Sequence, residues 1–90
     1  MIEREANLCR LSGDATLDTV PGLLEKIRPL LREGVDTLDC TGVANVDSSA
    51  LGFILACKRE AEAGQRRLKL TGLPPSLLNL ASLYGIADQL

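Results

Sequence analysis

The hydrophobic positions of this chain change period several times, and the changes divide it into elements. Asn7-Leu8-Cys9-Arg10-Leu11-Ser12 is a short run closed by Gly13-Asp14, which predicts a strand and a turn, with Ile2 to Glu5 as a frayed edge strand beside it. Val20, Leu23, Leu24, Ile27, Leu30 and Leu31 then recur at helical spacing. Thr19 is the expected N-cap and Pro21 fits the first turn. Pro29 removes the bond to Glu25, so a kink is expected there, with Gly34 as the stop. Val35 to Cys40 reads as the next strand and Thr41 to Val46 as a loop. A second helix is expected from about Ser49 to Ala63, stopped by Gly64. Arg67 to Thr71 alternates as a half-buried strand. Gly72-Leu73-Pro74-Pro75-Ser76 then turns the chain into a third helix ending near Tyr84-Gly85, and Ile86 to Leu90 closes as a short turn.

Strands alternating with helices imply parallel neighbours joined by right-handed crossovers. The expected fold is a single α/β domain over residues 1–90, with a small, mixed, mostly parallel sheet packed against three to four helices. In such sheets function sits in the loops after strand C-termini, and Asp47-Ser48 follows one of them. On a wheel of about 100° per residue, Ala50, Phe53, Ile54, Cys57 and Ala61 share one face of the second helix. Leu51 and Leu55 then fall to the side, among Lys58, Arg59 and Glu62. Ser48, Leu51 and Leu55 are spaced i, i+3, i+7, which puts a hydroxyl at the head of an apolar ridge edged by charge. Such a ridge suggests a docking surface.

Composition narrows the function classes. The 90 residues are 46% hydrophobic but only 2% aromatic, so the core must be aliphatic. A net charge of −2 without Trp leaves no basic, aromatic surface for nucleic acid. The charge is uneven: residues 1 to 47 carry nine acids against five bases, and residues 48 to 90 carry three acids against five bases. The second half is therefore suited to an acidic partner, against the plainer alternative of a solvated mixed surface. Cys9, Cys40 and Cys57 lack zinc-site spacing, and there is no His to complete a site. They read as small buried hydrophobes in a reducing compartment. Neither a signal peptide nor a run of ~20 apolar residues is visible, so a cytoplasmic location is expected, with membrane association only through a partner.

The segment Thr37-Leu38-Asp39-Cys40-Thr41-Gly42-Val43, followed by Val46-Asp47-Ser48-Ser49-Ala50-Leu51-Gly52, resembles the signature of STAS domains, the module of anti-sigma-factor antagonists and sulfate transporter tails. The resemblance runs from Leu11-Ser12-Gly13 to Ala87-Asp88. Near the C-terminus, Asn79-Leu80-Ala81-Ser82-Leu83-Tyr84-Gly85-Ile86-Ala87-Asp88 resembles the MlaB-like branch, whose members are cytoplasmic subunits of phospholipid-transport ABC complexes. That branch implies an ABC transporter ATPase subunit as partner. The antagonist branch implies an anti-sigma factor kinase instead, and a phosphorylated serine at Ser48. A phosphate there would lie near the positive end of a helix dipole but beside Asp47. Many STAS domains read Gly-Glu-Leu-Asp where this chain has Gly13-Asp14-Ala15-Thr16, so Thr16 stands in place of the usual Asp, which counts against sigma regulation.

The expected partner-binding set is Asp47, Ser48, Leu51, Leu55 and Arg59. Ser48 has a second reading, as a plain helix cap. Asp39 either orients Ser48 or bonds backbone amides in its own turn, and Tyr84 is either an anchor for a partner or a half-buried packing residue. Catalysis has little support. Without His, Ser48 has no imidazole base. No Walker A motif or Gly-rich phosphate loop is present, so no cofactor or metal is expected and any ATP belongs to another subunit.

Overall fold

A computed structural model describes residues 1–90. In chain order the elements are β1 (Ile2–Glu5), β2 (Leu8–Ala15), α1 (Val20–Arg32), β3 (Thr37–Val46), α2 (Ser48–Ala63), β4 (Lys69–Thr71) and α3 (Pro75–Leu83), followed by a 3-10 turn at Ala87–Gln89. The sheet order is β1-β2-β3-β4. β1 runs antiparallel to β2, and the β2–β3 and β3–β4 pairs are parallel. This is the mixed, mostly parallel α/β sheet that the alternation of periods predicts.

Only one face of the sheet is buried. Cys9 and Leu11 of β2 and Leu38 and Cys40 of β3 point into the core, while Arg10 and Thr41 are exposed. α1 and α2 pack together over the buried face, and α3 packs against α2. Phe53, Ile27, Leu31, Ile54 and Leu77 fill the space between the layers. The three cysteines are free and buried on this inner side. Burial pushes the Cys40 thiol up to about 11 and the Cys57 thiol to about 12, so neither is a thiolate at neutral pH.

β3 departs from the sequence reading. Thr41 to Val46 is not a loop but the second half of the strand, paired with Ser12 to Ala15 of β2 across two register shifts. It lacks apolar alternation because most of its side chains are solvated on both faces. Gly42 permits the pairing: a Cβ at this position would stand 3.1 Å from Ser12 Cβ and 3.2 Å from the Leu11 carbonyl oxygen. At the C-terminal edge, β4 is shorter than expected, because Arg67 and Leu68 lie before its first ladder residue.

The helix ends follow a common pattern. α1 continues through Pro29 to Arg32. Gly34 then takes φ +116, with Val35 N–H donating to the Leu30 carbonyl and Gly34 N–H to that of Leu31, which is a Schellman closure. α2 closes in the same way, but its left-handed residue is Gln65 at φ +61, one position after the expected stop at Gly64. Arg66, next in the chain, donates its guanidinium to the Leu31 and Arg32 carbonyls at the C-terminus of α1. A cation is favoured there by the helix dipole, and the bonds tie the two helix ends together. Arg66→Met should therefore cost about 1–2 kcal/mol in chemical denaturation; the figure is held down because Arg66 Nε is buried without a partner, and that burden goes with the side chain.

Candidate functional site

β3 delivers the chain to the head of α2 through Asp47, whose backbone is extended (φ −133, ψ −171) and whose side chain caps the helix. One oxygen, Oδ1, accepts the Ser49 N–H at 2.8 Å, and Oδ2 accepts the Leu17 N–H at 2.9 Å. The same carboxylate thus fixes the start of α2 and the segment leading into α1. These bonds, the Leu17 amide first, hold its carboxyl below the ordinary value of 3.8 against a partial opposing effect of desolvation.

The cap therefore belongs to Asp47 and not to Ser48, which corrects the capping reading of the serine. Ser48 is the first residue of α2, exposed, and its hydroxyl has no hydrogen-bond partner within the chain. Asp47→Ala should lower Tm by roughly 5 °C or more, because a cap and a tertiary bond go together. Ser48→Ala should leave Tm within roughly 2 °C of the parent, as surface changes do. The acid limb of stability gives a second check. With the folded pKa of Asp47 lowered, its contribution is complete above the unfolded value near 3.8 and is lost as pH falls through the folded value. Asp47→Asn should flatten that limb.

Beside Ser48 lies a shallow groove of about 310 Å³ lined by Ser48, Leu51, Gly52, Leu55, Tyr84 and Ile86. Its walls are α2 and the turn after α3. Gly85 takes φ +70 there, with Ile86 N–H donating to the Ala81 carbonyl, and this turn sets Tyr84 and Ile86 against α2. The lining is mostly apolar, and Tyr84 is 61% exposed, so the packing alternative for Tyr84 gives way to an accessible side chain.

Leu51 differs from expectation. At 4% exposure it belongs to the core and shows only an edge in the groove floor, so the ridge of two free leucines is reduced to Leu55. The wheel gave α2 a single buried stripe, whereas the helix packs against both α1 and α3. Arg59 is exposed and lies with Leu55 in a recess that adjoins the groove. Asp39 takes no part: its Oδ1 accepts the Thr41 amide at 3.0 Å and the Thr41 hydroxyl at 2.6 Å, the local alternative foreseen for it.

Sequence reasoning passed over two members of this surface, Ile86 and Gly52, and one residue that braces its head, Leu17. Ile86 reaches it only through the Gly85 turn. Leu17, 73% exposed, is bonded to Asp47 through its amide. Gly52, a residue of the recognisable motif, contributes by having no side chain, since a Cβ built there would meet no atom within 4 Å. A mid-helix glycine was the available signal, because it carries a helix penalty without a turn to justify it.

The arrangement fits docking and modification better than reaction chemistry. Ser48 has no base, since both Asp47 oxygens hold amides. No three His, Cys, Asp or Glu side chains come together to hold a metal. No helix is long and apolar enough to cross a membrane.

Comparison with known proteins identifies the fold and the family. The anti-sigma-B factor antagonist of Bacillus subtilis (strain 168) is 29% identical over 79 residues, which span 87% of this chain and 72% of that protein. The structure of the anti-sigma factor antagonist SpoIIAA in its unphosphorylated form is similar with a TM-score of 0.69 at 24% identity, covering 92% of this chain and 81% of that one. The Bacillus cell fate determinant SpoIIAA in the phosphorylated form gives 0.70 at 23% identity, covering 98% and 85%. At these identities the two structures share the fold. A family model described as "Mlab, STAS domain" matches residues 2–90. The chain, with its mixed four-stranded sheet and its exposed serine at the head of α2, belongs to the STAS domain family.

Proposed function

We propose that this chain is a non-enzymatic regulatory and assembly subunit, an MlaB-like STAS protein that binds the ATPase subunit of a phospholipid-transport ABC complex maintaining outer-membrane lipid asymmetry. The observation that carries this reading is the apolar groove headed by Ser48, a preformed seat for an apolar segment on a chain with no nucleotide-binding motif of its own. The description of the matching family model supports the same branch. The chain would then act on the cytoplasmic face of the inner membrane and reach the membrane only through its partner.

A second reading, an anti-sigma factor antagonist switched by phosphorylation of Ser48 by an anti-sigma factor kinase, is favoured by the relative from Bacillus subtilis and by the free Ser48 hydroxyl. Two observations count against it. Thr16 replaces the acid common in the family, and its neighbour Asp14 is already engaged, with Oδ1 accepting from Asn45 Nδ2 at 3.0 Å and from the Asn45 amide at 3.3 Å.

The two readings separate in one experiment. The purified chain is presented to the ATPase subunit and, in parallel, to an anti-sigma factor kinase with ATP. Saturable binding to the ATPase with no phosphoserine at Ser48 by mass spectrometry is the expected result. Stoichiometric phosphorylation of Ser48 with no ATPase binding would replace the first reading by the second.

A further inference from the structure

The groove does not end at Leu55. That residue also lines a recess of about 410 Å³, which adjoins a second of about 480 Å³ between α2, β4 and the final turn. Their walls carry Lys58, Arg59, Arg67 and Lys69. The state of these four cations is unusual for the molecule. Of its ten Lys and Arg, Arg4, Arg10 and Arg32 are paired with carboxylates and Arg66 is spent on the α1 carbonyls. Six remain without an ionic or hydrogen-bonded partner, and four of those six stand in these two joined recesses, faced by two acidic side chains, Glu62 and Asp88, and by the backbone carboxylate of Leu90. On a chain whose net charge is −2, that is a local excess of positive charge.

Building on the docking role assigned to the groove, on which this inference rests, we propose that the basic recesses bind an acidic polypeptide segment of the docked partner. The partner seats an apolar side chain between Leu55 and Tyr84 and runs an Asp- or Glu-rich stretch past Arg59, Lys58 and Arg67 toward Lys69. Continuity through Leu55 makes the two surfaces one track. Continuity with the apolar groove favours a polypeptide over an anionic membrane, because a single extended chain can seat an apolar side chain beside Leu55 and carry carboxylates along both recesses, whereas a bilayer offers its charge as a flat sheet of headgroups. Unpaired, solvent-facing cations lose little on meeting such a segment, since no existing bond is broken, and their field favours encounter with a negatively charged chain.

The test uses the isotopically labelled full chain, with hexaglutamate as probe and hexalysine as control. Hexaglutamate should shift the amide resonances of Lys58, Arg59, Arg67 and Lys69 saturably, and hexalysine should not. The shifts should shrink as ionic strength rises from about 0.05 M to about 0.5 M, as the Debye length contracts. The double variant Arg59→Glu, Arg67→Glu should weaken hexaglutamate binding by roughly tenfold or more with Tm unchanged, because neither side chain makes a bond in the fold. Shifts that are spread over the surface, or centred on Lys26 and Arg28 of α1, would overturn the proposal. So would binding of phosphatidylglycerol vesicles through the same four residues with no response to hexaglutamate. Neither arm contains the ATPase: loss of the ATPase reading with the hexaglutamate map intact removes the named partner and keeps the acidic track, and the reverse result removes the track alone.

Discussion

Leu51→Asp is expected to yield no folded protein, while Leu55→Asp, one helical turn further on, folds normally and fails to bind the partner. Leu51 is 4% exposed and wedged where α2 meets the turn after α3. Truncating a buried leucine to Ala already costs about 2–5 kcal/mol. A carboxylate left there without a partner adds several more, against a total stability on the order of 5–15 kcal/mol for a domain. Leu55 is only partly buried and looks into the groove, so a charge there stays hydrated in the free protein and is penalised only when a partner covers it. Circular dichroism with thermal unfolding decides the first half and affinity for the ATPase subunit the second. A Leu51→Asp protein with the parent's Tm would mean that Leu51 is not part of the core.

The largest effect on binding without an effect on folding is expected at Gly52 and Ser48. Gly52→Trp directs an indole into the groove from a position where the first side-chain atom, Cβ, meets nothing within 4 Å. Ser48→Glu places a carboxylate at the rim, where the hydroxyl has no structural bond to lose. Each should lower partner affinity by at least about thirtyfold, the range of a residue central to an interface. Gly52→Ala is the internal control: it should raise stability by about 1 kcal/mol, because a mid-helix glycine is replaced by the best helix former, and disturb binding much less than Trp. Titration calorimetry against the ATPase subunit, beside thermal unfolding, measures both. Full affinity in Gly52→Trp would move the docking site off this face.

How far these features could be read in advance depended on where each residue's stabilisation comes from. α1 was legible because Val20, Leu23, Ile27 and Leu31 are buried on one stripe, so the periodicity is the cause of the element. The second half of β3 was not, because Thr41 to Val46 is held by pairing with β2 and not by burial of its own side chains. The face of α2 was half legible. Phe53, Ile54 and Cys57 declared the core side, but Leu51 is buried beside Tyr84 and Ile86 of the turn after α3, which no local pattern in α2 could announce. The Asp47-Ser48 pair marked a helix start, but which of the two caps it was not legible, because Asp and Ser cap equally well by type and only the extended backbone at Asp47 decides between them.

The burial of the three thiols has a practical consequence. Cys9, Cys40 and Cys57 are each at most 1% exposed, and burial raises all three above their ordinary pKa of 9.0. A maleimide reagent, which attacks the accessible thiolate, finds no target on the native surface. A single cysteine introduced at the rim, by Ser48→Cys or Tyr84→Cys, would therefore be the one labelled position. A fluorophore or spin label placed there can report occupancy of the groove in a chain that keeps all of its native cysteines.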